Sequence, residues 1–106
     1  MLISKSTYDE HDIVTLKLVN GDEVVAKIVE DQPDFYLVSK PTTVVPSNQG
    51  IGLVQSLFVA DLNKDIAIAK AHIMMHAPVV DKMKDHYLQT VTGIQTISKG
   101  SIVTSA

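Results

Sequence analysis

Few side chains in this chain have the type and spacing for chemistry, and they fall in two short stretches. Lys70 and His72 flank Ala71 in the run Ile68-Ala69-Lys70-Ala71-His72-Ile73. Phe35 and Tyr36 follow the segment Asp31-Gln32-Pro33-Asp34. Adjacent aromatics of this kind are the side chains on which single-stranded nucleic acids stack their bases. In a strand the two point to opposite faces, so one packs inward and only the other is offered for stacking. Asp31 opens a turn beside Pro33, where an aspartate commonly bonds the backbone ahead of it. His72 and His76 are four apart, which on a helix would suit a metal. Their segment reads as extended, which separates them, and no carboxylate cluster accompanies them. His86 falls on a helical surface near Lys82. The chain has no Cys, so thiolate nucleophiles, thiolate metal sites and disulfides are excluded. Its serines lie in turns and tails without a Gly-x-Ser-x-Gly elbow. Gly50-Ile51-Gly52 is too short for a dinucleotide fingerprint and precedes no helix. The chain therefore reads as a non-enzyme, with no cofactor and no metal.

The elements that must position these residues are short strands. Ile13 to Val19 and Asp22 to Ile28 alternate apolar and polar residues on either side of Asn20-Gly21. That pattern predicts a hairpin with a type I′ turn, which requires positive φ at both central residues. Asp31 to Asp34 is a turn because Pro33 cannot donate to a ladder. Phe35 to Ser39 is a third strand, with a bend or edge at Pro41 and a continuation over Thr42 to Val45. Pro46 to Gly50 is a loop, Ile51 to Ala60 a bent fourth strand, and Asp61 to Asp65 a turn. Ile66 and Ile68 begin a last extended segment that Ile73 to His76 complete.

After Pro78 the period changes. Pro78 suits a first helical turn, and Asp81 places negative charge where the helix dipole favours it. Val80, Met83, Tyr87, Val91 and Ile94 form one apolar stripe of an amphipathic helix, with Gly93 marking its fraying. That stripe is expected to pack on the barrel's open end or on a neighbouring subunit. The expected organisation is a lead-in over 1–12, a barrel over 13–77, the helix over 78–97 and a mobile tail over 98–106. No helix alternates with a strand, so a parallel sheet is not expected. The expected fold is mainly β with one helix: a small, strongly bent five-stranded antiparallel open barrel followed by a C-terminal α-helix.

Composition narrows the partners. The 106 residues carry 45% hydrophobic and 20% charged side chains, an ordinary globular balance for one domain. Net charge is −3 and every basic side chain is Lys, with no Arg. A global basic balance for nucleic acid is absent, and so is the side chain that best forks onto phosphate or guanine. No stretch is long and apolar enough for a membrane span, and the polar N-terminal stretch is no signal peptide. The default expectation is a cytoplasmic protein that engages no membrane and no DNA.

Val14, Leu16, Leu18 and Gly21, then Val25, Ile28 and Asp31, then Leu37 follow the first motif of the Sm-like (LSm, Hfq-type) family. Ile66 and Ile68 leading to Ala69-Lys70-Ala71-His72-Ile73 resemble its second. The chain is similar above all to the Sm-like proteins of marine tailed phages, through Asn20 to Lys27, the Pro46 to Gly50 loop and a helix placed C-terminally. The resemblance spans Ile13 to His76 and implies a homo-oligomeric ring of about five to seven subunits. It also implies binding of single-stranded, uridine-rich RNA, with Lys70 and His72 facing the ring's channel, Phe35 or Tyr36 stacking on bases and Asp31 ordering the loop. A phage-encoded regulator of RNA metabolism in the host cytoplasm is the role this implies. The sequence departs from the family in three places. Phe35 and Tyr36 occupy the region of the base-binding Asn, Ala26 replaces a Gly, and Lys70 is the sole cation where an Arg-Gly pair is usual. These departures bear on the uridine pocket and leave the barrel intact. With the charge of −3, they favour the alternative: a phage accessory or structural ring, or adaptor, with no role in RNA binding.

Overall fold

The computed structural model describes residues 7–48 and 50–97, with side chains through residue 92. Six strands and one helix follow in order: β1 Ile13–Leu18, β2 Glu23–Asp31, β3 Phe35–Ser47, β4 Gly50–Gln55, β5 Ile66–Ala69, β6 Ile73–Pro78 and α1 Asp81–Ile97. A 3-10 turn, Lys70–His72, separates β5 from β6. All pairings are antiparallel, in the order β4-β3-β2-β1-β6, and β5 pairs with β3. The mainly β fold with one C-terminal helix is as the sequence predicts.

Alternation along β1 and β2 divides the apolar residues between two clusters. Val14, Leu16, Ala26 and Ile28 join Tyr8, Tyr36 and Val38 in the first. Ile66 and Ile68 of β5 and Ile73 of β6 pack against that same cluster. Strands from opposite ends of the sheet thus share one core, so the sheet is curled into an open barrel. Register shifts between Val25 and Lys27, between Ile28 and Glu30, and between Lys17 and Leu18 supply the bending. Thr42, fully buried, donates to the Val25 carbonyl at 2.9 Å and so leaves no orphaned hydroxyl there.

The second cluster lies on the other face of the sheet. Ile13 and Val25 meet Tyr87 and Val91 of α1, with Val44, Leu53, Val79 and Met83 around them. The helix therefore covers the outer face of the sheet rather than the end of the barrel. Val80 precedes the helix and is exposed, so it does not belong to the buried stripe. The Ile94 side chain and the tail over 98–106 lie outside the described residues.

Several local expectations are corrected. The first hairpin does not close with a type I′ turn. Gly21 N–H donates to the Leu18 carbonyl at 2.9 Å and Leu18 N–H to the Asp22 carbonyl at 2.8 Å, which makes a three-residue loop. Gly21 is left-handed at φ 99°, while Asn20 is not among the positive-φ residues. Asn20 Oδ1 instead accepts from Asp22 N–H at 3.0 Å, and that side-chain turn replaces the second left-handed residue. Pro78 ends β6 opposite Val14 instead of opening the helix, because a strand end at a sheet edge needs no donor. Gly93 lies inside α1, which continues to Ile97.

β3 runs through Pro41 without ending, and the adjustment falls on Lys40, left-handed at φ 47°. The fourth strand stops at Gln55, where Ser56 N–H turns to the Pro41 carbonyl at 3.2 Å. Residues 56–65 leave the sheet, and the 3-10 turn Lys70–His72 divides the last expected segment into β5 and β6, which raises the strand count from five to six.

Candidate functional site

The site grows out of the β2–β3 hairpin. Asp31 ends β2 and faces Tyr36 across it as a register partner. The short loop between them is held by Gln32 N–H donating to the Phe35 carbonyl at 2.9 Å. Beyond Tyr36, β3 pairs with β5, placing Ala69 opposite Phe35 and the 3-10 turn next to the hairpin loop. Lys70 N–H then donates to the Asp34 carbonyl at 2.9 Å, which fixes the start of that turn.

Three side chains meet at this junction. Lys70 Nζ lies 2.5 Å from Asp31 Oδ1 and 4.5 Å from the centre of the Tyr36 ring. The Asp31 side chain is 8% exposed and that of Lys70 is 31% exposed, so the pair is partly desolvated. Such a pair joins an ionic hydrogen bond to a cation–π contact. The other carboxylate oxygen, Oδ2, accepts from Thr7 N–H at 3.1 Å.

Next to it is a ring cluster. The Tyr8 ring packs tilted against Tyr36 at 6.0 Å and edge-on to His76 at 5.5 Å, and Tyr36 meets His76 at 6.1 Å. The Tyr8 hydroxyl shares a 2.7 Å hydrogen bond with His76 Nδ1. Burial raises the phenol pKa of Tyr8, with neighbouring Tyr36, Asp12 and Asp31 adding to it. Burial likewise raises that of Tyr36, with the Asp31 charge second. Both tyrosines stay neutral donors across the physiological range.

Of the five residues singled out in the sequence, Asp31, Tyr36 and Lys70 are brought together. Phe35 and His72 are not. Phe35 is half-buried on the opposite face of β3 from Tyr36. His72 has its side chain exposed, beside a shallow groove shared with Leu18, Asp22 and Ile68 on the far side of the turn. Its carbonyl accepts from Val19 N–H at 2.9 Å, which ties the turn to the first hairpin. Tyr36 is the inward aromatic of the pair, and only 3% of it is exposed.

Sequence reasoning missed Thr7 and Tyr8, and it weighed His76 only as a metal ligand. Tyr8 is the sole aromatic in the first twelve residues, and that was its available signal. His76 and Tyr36 meet through barrel closure, which no local spacing encodes.

The arrangement presents a carboxylate, an ammonium, an imidazole and aromatic surface within one small region. It holds one planar group that both packs and hydrogen-bonds, the Tyr8 phenol. Among the described residues, no three His, Asp or Glu side chains gather as a metal would need. No helix among them is long and apolar enough to cross a membrane. Compared with known proteins, the chain matches no family model and no curated protein by sequence.

Proposed function

We propose that this chain assembles edge to edge into a homo-oligomeric ring that binds single-stranded RNA, as its resemblance to the Sm-like proteins implies. The observation that carries the reading is the Asp31–Lys70 pair beside Tyr36. It joins the loop of the first resembling motif to the turn of the second, so three of the five residues that the resemblance nominates for RNA lie together, while Phe35 and His72 lie apart.

Assembly is supported by the sheet's margins. Among the described residues β6 pairs only with β1, and β4 only with β3, so each leaves a row of backbone donors and acceptors. Met74 and Met75 on β6 and Ile51 and Val54 on β4 are exposed apolar side chains along those margins. A heterologous contact between unlike edges closes into a ring when its rotation suits. Repetition of Lys70 around such a ring gathers positive potential that the acidic chain lacks as a whole. In this reading the protein is a non-enzymatic regulator of RNA metabolism in a phage-infected cell, with no DNA partner.

Native mass spectrometry with and without a short oligouridine tests it. A single oligomer gaining one RNA mass per ring is the expected result. A monomer would refute the assembly, and a ring that ignores RNA would refute the binding. The latter outcome is what the second reading, a phage accessory or adaptor ring, predicts. One observation favours it: the Lys70 charge is already met by Asp31, and its ammonium already covers Tyr36.

A further inference from the structure

We propose that residues 7–12 form a strap that closes the Asp31–Tyr36–Lys70 site, with the Tyr8 ring standing where a nucleobase enters. The inference rests on the RNA-binding reading above and assigns that site its regulation.

The strap fills the site with the same kinds of contact that a base would make. Tyr8 supplies a planar ring against Tyr36 and His76 and a hydroxyl to His76 Nδ1. Thr7 supplies the N–H that takes Asp31 Oδ2, the carboxylate oxygen that Lys70 leaves open. A pyrimidine ring offers the same set: a stacking face, an N–H donor and oxygens for hydrogen bonding. With the strap in place Tyr8 is 7% exposed, and ring, carboxylate and imidazole are all engaged.

The strap is attached like a hinged part rather than a strand. Within it, Asp9 N–H donates to Asp12 Oδ2 at 2.9 Å and Asp12 N–H to the Asp9 carbonyl at 3.1 Å. Its root is pinned to β2, with His11 N–H on the Ile28 carbonyl at 2.7 Å and Ile28 N–H on the Asp12 carbonyl at 2.8 Å. Between root and tip, His11 is left-handed at φ 79°, a conformation that non-glycine residues rarely hold. Tyr8 is the one buried side chain of the six; the others are exposed. Among the described residues, opening therefore detaches the Tyr8 ring, its bond to His76 and the Thr7 bonds to Asp31 and Tyr36, while the pairing of β1 with β2 stays intact. Asp9, Glu10 and Asp12 also place three carboxylates on the strap, which repel a phosphate chain as long as it is closed. A site occupied by its own chain binds with its affinity reduced by the open fraction, and loosening the strap removes that penalty.

Fluorescence anisotropy with labelled oligouridine, on the full chain and on Tyr8→Ala and Tyr8→Phe, is the test. Tyr8→Ala is expected to bind at least about tenfold tighter than the parent, and Tyr8→Phe, which keeps the ring and loses the imidazole bond, a few-fold tighter. Equal affinity in all three overturns the strap and leaves the RNA reading standing. No binding even by Tyr8→Ala overturns the RNA reading, and the strap with it. Should circular dichroism show Tyr8→Ala unfolded, Thr7→Pro removes the N–H to Asp31 together with the Thr7 hydroxyl beside Tyr36, and is expected to tighten binding a few-fold. Hydrogen exchange on the parent chain gives an independent readout. Oligouridine should accelerate exchange over residues 7–10, ahead of the pinned root, and protection there would overturn the proposal.

Discussion

The Tyr87 hydroxyl donates to the Ser39 carbonyl at 2.8 Å, across 48 positions of sequence, and it reaches the Lys40 carbonyl at 3.1 Å as well. The helix is thereby latched to the point where β3 bends, at the left-handed Lys40. Tyr87 is 1% exposed and anchors the cluster beneath α1, so one side chain fills the outer core and satisfies two backbone acceptors.

Tyr87→Phe keeps the packing and removes the donor. Stability is expected to fall by about 1–2 kcal/mol, read as a lower urea midpoint at an unchanged m-value. Tyr87→Ala also empties the ring's volume and is expected to cost about 3–5 kcal/mol.

Alkaline pH should weaken the fold. Burial raises the phenol pKa of Tyr87 far above the usual 10.0, and burial first also raises those of Tyr8 and Tyr36. A raised acid holds its proton longer folded than unfolded, so the unfolded state releases protons first as pH rises. The contribution is therefore complete below pH of about 10 and is lost above it, for Tyr87 at up to about 1.4 kcal/mol per pH unit. Urea midpoints measured from about pH 8 to pH 11 should be flat and then decline, with a shallower decline in Tyr87→Phe.

Lys70→Ala leaves the nearly buried Asp31 carboxylate without its cation. A stability loss of about 1–3 kcal/mol is expected in urea titration. RNA affinity should fall as well, and the slope of log affinity against log salt should become shallower by about one unit for each phosphate that is no longer neutralised. An unchanged affinity and slope would remove Lys70 from the binding surface.

Val54→Lys places a charge on the open margin of β4 without touching either core cluster. Edge charges block strand addition. Sedimentation should show the proposed ring replaced by monomers, while circular dichroism stays that of the parent chain. A persisting ring would show that β4 does not carry the contact.

Much of the barrel was legible because its strands face a core on one side and the helix or solvent on the other. Val14 and Leu16 could be assigned from alternation alone, whereas the consecutive buried run Val24, Val25 and Ala26 breaks the pattern. The turn at Gly21 was misjudged because the Asn20 side chain competes for the backbone with the mirror-image turn, and composition does not reveal which wins. Pro78 misled for a related reason: a missing donor is tolerated equally at a strand end and in a first helical turn. In the site, Asp31 and Tyr36 were accessible because a hairpin makes them register partners. Lys70 was accessible through motif resemblance. Tyr8 was not, since a single ring in a polar stretch gives no periodic signal and its place is set wholly by contacts with distant strands. Phe35 and Tyr36 show the limit from the other side: alternation separates them but does not say which is inward.

The division of β3 between two partners has a consequence for how this chain tolerates change. β3 is 13 residues long; β4 takes its second half, over Thr42 to Ser47, and β5 its first, over Phe35 to Val38. The segment over 56–65 bridges the two, tied back to β3 through Ser56 on Pro41 and Thr43 and through the Leu62 carbonyl on Lys40, and its tip is open, with Phe58 76% and Val59 99% exposed. Doubling the length of such a bridge costs only about 0.6 kcal/mol in closure entropy. The fold thus carries a splice point on its rim, where a peptide or a small domain can be grafted while the Asp31–Lys70 pair stays where it is.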